Sequence, residues 1–471
     1  MIDIYTDKSM ENRSGLNRIN GIWFAGIYYI LAVMLYVINM FAEAVRPGVF
    51  ATVFLFGVAL ELVIRKQLKL KQFIDRLVAA YCIYNAASVI WLLRGGFPVS
   101  VYEQEFIVSL LPVIFYYVGR ACISFRADSR PDGSDTKSND ISGYRQWDAN
   151  IYYRNFIIAV LLIGLLGILL QISMPQLYID YSYKLRFVSK ADAATCRVRM
   201  DSVVGSTVLG FISVAAMLAA IPFIMNGSAG MINRENGKIR IFGVVAMLIN
   251  LVVAFMSNQR SAMVVAILVI VYFNYLIFFE YRAVERKYFF IELAVLAVCF
   301  IALCIVSMDT VMKIYYRLVS LPDAIGERSE QWIAAVNNMY STWLGNGLGA
   351  NGHRALGIEG AHVIADGGLV KMYCEQGIFG FSIFLYIVIL AFRKGVRNVK
   401  EYCVELGIIA VALLQSVGSN ILAFQLTTPI FWFAIGRMFA DGSDRSIIDR
   451  KPSDNAFDHE ENAVSEGEGG I

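Results

Sequence analysis

Long apolar runs separated by short polar breaks pattern this chain from residue 21 to residue 440. The runs fall at 21–41, 48–64, 74–93, 101–119, 153–172, 201–225, 240–256, 261–279, 288–307, 367–391, 404–422 and 425–440. Their lengths match what a helix needs to cross a hydrocarbon core, about 17 to 25 residues. The pattern predicts an all-α, polytopic membrane bundle of about twelve transmembrane helices. Little more than Ala423 and Phe424 parts the last two runs, so eleven is the alternative count. A transmembrane barrel would show alternating strands, and these runs are continuous.

Composition agrees with the membrane class. Of 471 residues, 58% are hydrophobic and 17% charged, too apolar for an ordinary soluble globule. The net charge of +3 gives no reason to expect a nucleic-acid partner, and the basic residues sort by side instead. Arg65, Lys66, Arg120, Arg126, Arg234, Lys238, Arg282, Arg286, Arg393, Arg397, Lys400 and Arg437 occupy alternate breaks, the positive-inside signature of a cytoplasmic face. On that register 1–20 is a cytoplasmic N-terminus, 21–307 holds nine helices, 308–366 is a large external loop and 367–440 holds three helices. The tail 441–471 is acidic and glycine-rich at its end and is expected to be disordered. Residues 126–143 read as a flexible cytoplasmic loop. No cleavage site follows a short apolar core near the start, so no removable signal peptide is expected. The seven cysteines include no C-x-x-C pair and read as small core residues.

Two longer external stretches carry more basic residues than the rule expects: Lys184, Arg186, Lys190, Arg197 and Arg199 in one, Lys313, Arg317, Arg328 and Arg354 in the other. Long loops escape the charge rule, so the orientation stands. Such residues either sit against anionic headgroups or converge on a phosphate-bearing ligand. Arg260 tips a tight hairpin, Ser257–Ser261, on the same side; it is either a snorkelling arginine or part of the same set.

The chemistry is expected between Met308 and Gly380, a polar stretch leading into an apolar helix. Trp332, Ala335, Val336, Met339, Tyr340 and Trp343 repeat at helical spacing within Glu327–Leu344, which predicts an amphipathic helix lying outside the bundle or in the interface. The run from Gly347 to Gly352 formally satisfies G-x-G-x-x-G, but no strand precedes it and no Lys-Ser or Lys-Thr follows, so a nucleotide fold is excluded. Gly347 and Gly349 instead suggest a backbone that turns tightly against a ligand or a neighbouring helix, or a plain flexible loop. Asp366 stands where the tenth run would have its N-cap, and His362 lies one turn earlier if that stretch is helical. Lys371 and Glu375 are spaced as an i, i+4 ion pair, and ionisable residues in an apolar run are expected to face a wet cavity. No dense acidic cluster suggests a metal, and no cofactor is expected.

Taken in order, Ser257-Asn258-Gln259-Arg260-Ser261-Ala262, Glu327-Arg328 with Trp332, Leu344-Gly345-Asn346-Gly347-Leu348-Gly349, and Asp366 followed by Glu375-Gln376-Gly377 and Gly380 resemble the bacterial O-antigen polymerase and O-antigen ligase superfamily. The ligases typically carry histidine at the position matching Asp366, and here His362 lies one turn earlier, which favours a polymerase. The resemblance implies an inner-membrane protein whose external loop is periplasmic. It implies a glycosyltransferase that joins undecaprenyl-diphosphate-linked oligosaccharides, with membrane lipids, a chain-length regulator and a flippase as partners.

A diphosphate leaving group needs its charge countered more than it needs a strong acid. Arg260, Arg328 and Arg354, with Arg186 and Arg199 beside them, are the candidate diphosphate ligands. Asp366, His362 and Glu375 are the candidate catalytic residues, Asp366 or His362 serving as base. The alternatives are a ligase transferring glycan to a lipid A core and a secondary transporter of polysaccharide or small molecules, for which about twelve spans would be ordinary.

Overall fold

The computed structural model of the chain describes residues 24–42, 47–64, 67–68, 70–123, 147–186, 199–225, 234–281, 312, 315–316, 319 and 321–440. The expectations for 1–20, 126–143, 288–307 and 441–471 lie outside these residues. Within them the elements of secondary structure are helices, apart from a two-residue parallel pairing of Cys122–Ile123 with Trp147–Asp148. The helices are α1 (Phe24–Ala42), α2 (Pro47–Ile64), α3 (Phe73–Arg94), α4 (Val99–Arg120), α5 (Ala149–Ser173), α6 (Pro175–Arg186), α7 (Ser206–Met225), α8 (Arg234–Met256), α9 (Arg260–Glu280), α10 (Leu321–Asn337), α11 (Gly368–Arg397), α12 (Val399–Gly418) and α13 (Thr428–Met438).

Among the described residues eight helices are long and apolar enough to cross a membrane: α3, α4, α5, α7, Gly237–Met256 of α8, α9, α11 and α12. Shorter apolar stretches, Phe24–Met40 and Thr52–Ile64, occupy α1 and α2. The centre is α7, apolar and buried almost all round, as a helix without a polar face must be. It packs against α5, α8, α9 and α12. Phe56, Leu162, Leu248 and Val271 point outward from the surrounding helices, which suits a hydrocarbon solvent.

Two expectations need correction. The run 425–440 yields only the 11 residues of α13, about 17 Å of helix, too short to span. Pro429 sits in its first turn and its residues are buried. It is a core helix seated on α4, where a Cβ on Gly119 or Gly436 would collide with the facing backbone of Phe433 or Tyr116. Apolar content alone does not distinguish such a helix from a span.

Two presumed face markers, Arg120 and Arg437, are also core residues. Arg120 pairs with Asp75 at 3.0 Å, and Asp75 accepts from the Tyr116 hydroxyl at 2.6 Å. Arg437 lies 3.9 Å from Glu405, which accepts from Tyr153 at 2.8 Å. Exposed Arg393, Arg397 and Lys400 remain where the α11–α12 hairpin turns, and Lys400 reaches Glu280 at the end of α9.

Candidate functional site

The site is organised by a break in α11. Gly377 has φ +61° and ψ −172°, a conformation essentially reserved for glycine. A helix interrupted there leaves carbonyls on one side and N–H groups on the other without their i, i+4 partners. The glycine-rich segment supplies replacements. Asn346 N–H donates to the Cys374 carbonyl at 2.8 Å and Gly347 N–H to that of Glu375 at 2.9 Å. The Tyr84 hydroxyl donates to the Gln376 carbonyl at 2.7 Å. Across the break, Ile378 N–H donates to the Thr342 carbonyl at 2.9 Å and Phe379 N–H to that of Trp343 at 3.2 Å.

This crossing explains the glycines. A Cβ on Gly345 or on Gly377 would strike the other's backbone neighbourhood. Gly347 (φ +89°) lies against α3, where an added Cβ would sit 2.8 Å from the Ser88 carbonyl. Gly349 (φ +93°) lies against α4, with the Val101 carbonyl 2.9 Å away. Leu348 N–H completes the seat by donating to Ser88 Oγ at 3.1 Å. Residues 345–352 are thus buried between α3, α4 and α11, not held out as part of an external loop. Irregular backbone at such depth is tolerated only when protein satisfies it.

A chain of charges lies beneath the re-entrant segment. Glu105 is the last of seven residues in the first stretch of α4, so it sits about 9 Å along the axis from the start of that helix. The ladder then widens into a π-turn over Phe106–Leu110, ahead of Pro112, which lacks the donor a regular helix needs. Glu105 Oε1 is 2.5 Å from Lys371 Nζ and accepts from Ser109 Oγ at 2.7 Å. Its Oε2 is 3.5 Å from Arg354 Nε. Lys371 also lies 3.5 Å from Glu375, whose carboxylate accepts Asn351 N–H at 3.3 Å. Glu105, Lys371 and Glu375 are 3%, 4% and 1% exposed.

A second pair stands at the head of α11. Arg328 of α10 meets Asp366 at 2.8 Å, with both side chains between a third and a half exposed. Its other nitrogen donates to the Gly418 carbonyl at the end of α12 at 3.4 Å. Trp332 Nε1 donates to the Asp366 carbonyl at 2.7 Å, and Asn420 Nδ2 donates to the carbonyls of Ile364 and Ala365 at 2.9 and 3.1 Å. Ala335, Ile364 and Cys374 pack beneath them with Trp332.

The expected residues therefore fall into three places. Arg328 joins Asp366, while Arg354 joins Glu375 through Glu105 and Lys371. Arg260 begins α9, and the Gln259 beside it donates to Ser206 and Thr207 on α7. Exposed Arg199 has its carbonyl held by the Tyr178 hydroxyl at 2.7 Å, close to the same end of α7. Arg186 ends α6, and its side chain lies outside the described residues. Residues 361–367 are not helical, so His362 is not one turn below Asp366; its carbonyl is held by Asn351 Nδ2 at 2.8 Å. The N-cap of α11 is Gly367, and Asp366 serves Arg328 instead. The amphipathic helix ends at Asn337, short of Trp343. Among the described residues no three His, Cys, Asp or Glu side chains gather as a metal site.

Pattern reading missed Glu105, the closest partner of Lys371. The signal was present, since a carboxylate inside an apolar run marks a site or a buried pair. No family model matches the chain, and no curated protein is significantly similar to it in sequence.

Proposed function

We propose that this protein is a membrane glycosyltransferase, a polysaccharide polymerase that joins oligosaccharides carried on undecaprenyl diphosphate at the periplasmic face of the bacterial inner membrane. The observation that carries this reading is the half-exposed Arg328–Asp366 pair at the head of a broken, charge-bearing helix. A diphosphate docking there competes with Asp366 for the guanidinium, a planar donor suited to phosphate oxygens. Asp366, once released, is a carboxylate within reach of an incoming hydroxyl. The acceptor oxygen bonds to the donor's anomeric carbon, the bond from that carbon to the diphosphate oxygen breaks, the hydroxyl proton passes to Asp366, and undecaprenyl diphosphate leaves. Arg354, held by Gln104 at 3.0 Å and by Glu105, is the second cation in this reading.

Topology supports the assignment. The Glu280–Lys400 contact lies at one end of the bundle, and Arg328 meets Gly418 at the other end of α12. The exposed basic residues at the Lys400 end are then cytoplasmic.

One observation favours a transporter instead: a discontinuous helix beside buried charges is a common transporter device. Here, however, the freed backbone groups are hydrogen-bonded by residues 342–347 and Tyr84. A ligase differs from the polymerase in its acceptor. Deleting the gene in the native cell and resolving the surface glycan on a gel separates these readings. Single attached repeats without long chains support the polymerase. Loss of all attached glycan with lipid-linked polymer accumulating supports the ligase, and an unchanged ladder removes both.

A further inference from the structure

Helix α10 carries apolar residues on more of its surface than the bundle covers. Trp332 and Ala335 turn inward, onto Ile364 and Cys374. Ile333 and Val336, three positions apart and so on one side of the helix, are exposed, Ile333 to 59%. Exposed Glu330, Gln331 and Asn337 fill the remaining arc, and Gln331 stands about 160° around the axis from Ile333. The circumference thus runs from a buried apolar sector to an exposed apolar one and then to a polar one. A helix with water along its whole outer side would be polar in the middle sector as well.

The exposed apolar sector does not end with the helix. Tyr340 and Trp343 follow it, the latter 58% exposed, and the Trp343 ring packs on that of Phe379 with centroids 5.3 Å apart. Phe379 opens the outward face of α11, where Tyr386, Ile389 and Val396 are exposed in turn. That helix is long and apolar enough to cross a membrane, so its outward face meets hydrocarbon. The stripe on α10 is therefore continuous, through two touching aromatic rings, with a lipid-covered surface. Tyrosine and tryptophan are also the residues that collect where hydrocarbon gives way to headgroups.

We propose that Ile333, Val336, Tyr340 and Trp343 are immersed in the lipid leaflet at the Gly418 end of α12, with α10 lying at the boundary between headgroups and acyl chains. An apolar helix face at that boundary is buried about 5–10 Å deep, and the polar arc of Glu330, Gln331 and Asn337 faces water. Arg328 precedes Ile333 by five residues, about 7.5 Å of helix, which keeps its guanidinium within reach of the phosphate layer. The docking does not depend on the glycosyltransferase reading. It adds to that reading a route by which a lipid-borne diphosphate meets Arg328 without leaving the membrane.

The test reads tryptophan emission from the full chain in lipid nanodiscs, with no substrate present. Ile333→Trp and Val336→Trp each add a ring to the exposed apolar sector, and Gln331→Trp adds one to the polar arc. Subtracting the wild-type spectrum leaves the added ring. For Ile333→Trp and Val336→Trp that signal is expected to be blue-shifted, to lose most of its intensity when the nanodisc phosphatidylcholine carries bromine on its acyl chains, and to resist iodide in the buffer. For Gln331→Trp the reverse is expected. Wild type minus Trp343→Phe isolates a native ring while leaving an aromatic side chain against Phe379, and it should show the lipid-quenched pattern. Iodide quenching of the stripe signals as strong as that of Gln331→Trp overturns the docking by placing the stripe in water. Stripe signals that neither quencher reaches overturn it too, because protein then covers the face, a second copy of this chain included.

Discussion

Arg328 and Asp366 lie 38 positions apart in the chain, and the structure pairs them at 2.8 Å. Arg328 was legible as a candidate from the excess of basic residues in a long external stretch, and Asp366 from its place at the head of an apolar run. Their pairing was not, since it depends on α10 folding back over α11. If Arg328 meets the diphosphate, Arg328→Ala should lower kcat about 10²- to 10³-fold, as loss of a charge-stabilising donor does, with membrane insertion unchanged. Arg328→Lys should recover little of it, because a point charge cannot bridge Asp366 and the Gly418 carbonyl as the guanidinium does. Near-wild-type polymer from either variant would remove Arg328 from the chemistry. The Lys371–Glu375 pair was legible from spacing, but the pairing with Glu105, 266 residues away from Lys371 in sequence, was not. Lys371→Met leaves two buried carboxylates facing each other and should cost about 3–5 kcal/mol in unfolding free energy. Adding Glu105→Gln should return part of that loss, and a double-mutant cycle showing simple additivity would deny the coupling.

At the scale of elements, hydropathy outlined the spans because burial in hydrocarbon demands continuous apolar helix. It missed the break in α11 for the same reason: Leu369 to Leu390 remains mostly apolar through Gly377. Likewise Gly345, Gly347 and Gly349 were legible as a close approach, but not the partners they approach. The crossing makes a definite prediction. Gly377→Ala forces a side chain into φ +61°, ψ −172°, a strain of about 1–3 kcal/mol, and also into the backbone of residues 343–345. The re-entrant segment should then be expelled. A cysteine introduced at Leu348, 3% exposed in the native packing, should react slowly with a thiol reagent in the wild-type background and rapidly in the Gly377→Ala background. Equal rates would mean that the segment is held without the crossing. Gly380→Ala offers a comparison from the same helix, because there the added Cβ meets the side chain of Tyr84 and not backbone.

The whole molecule divides its charge between two ends and a buried interior. At one end Asp75–Arg120–Tyr116 and Glu405–Arg437–Tyr153 are internal staples, close to exposed Arg393, Arg397 and Lys400. At the other, Arg328 and Asp366 are open to solvent. Arg120 and Arg437 do not count as surface charge, since a buried arginine reports its carboxylate partner and not the membrane potential or lipid charge. The proposed orientation rests on the remaining exposed residues, because the rule concerns basic groups in short loops near helix ends. Reporter fusions make this testable without any knowledge of substrate. Alkaline phosphatase joined after Leu356 should be active, because that position is exposed on the segment leading to Asp366. A fluorescent protein that matures only in the cytoplasm should light when joined after Ala440. Lys400 in the α11–α12 hairpin should report the cytoplasmic side as well. The reverse pattern would place Arg328 and Asp366 on the cytoplasmic side, where a diphosphate-linked chain awaiting polymerisation at the periplasmic face could not reach them.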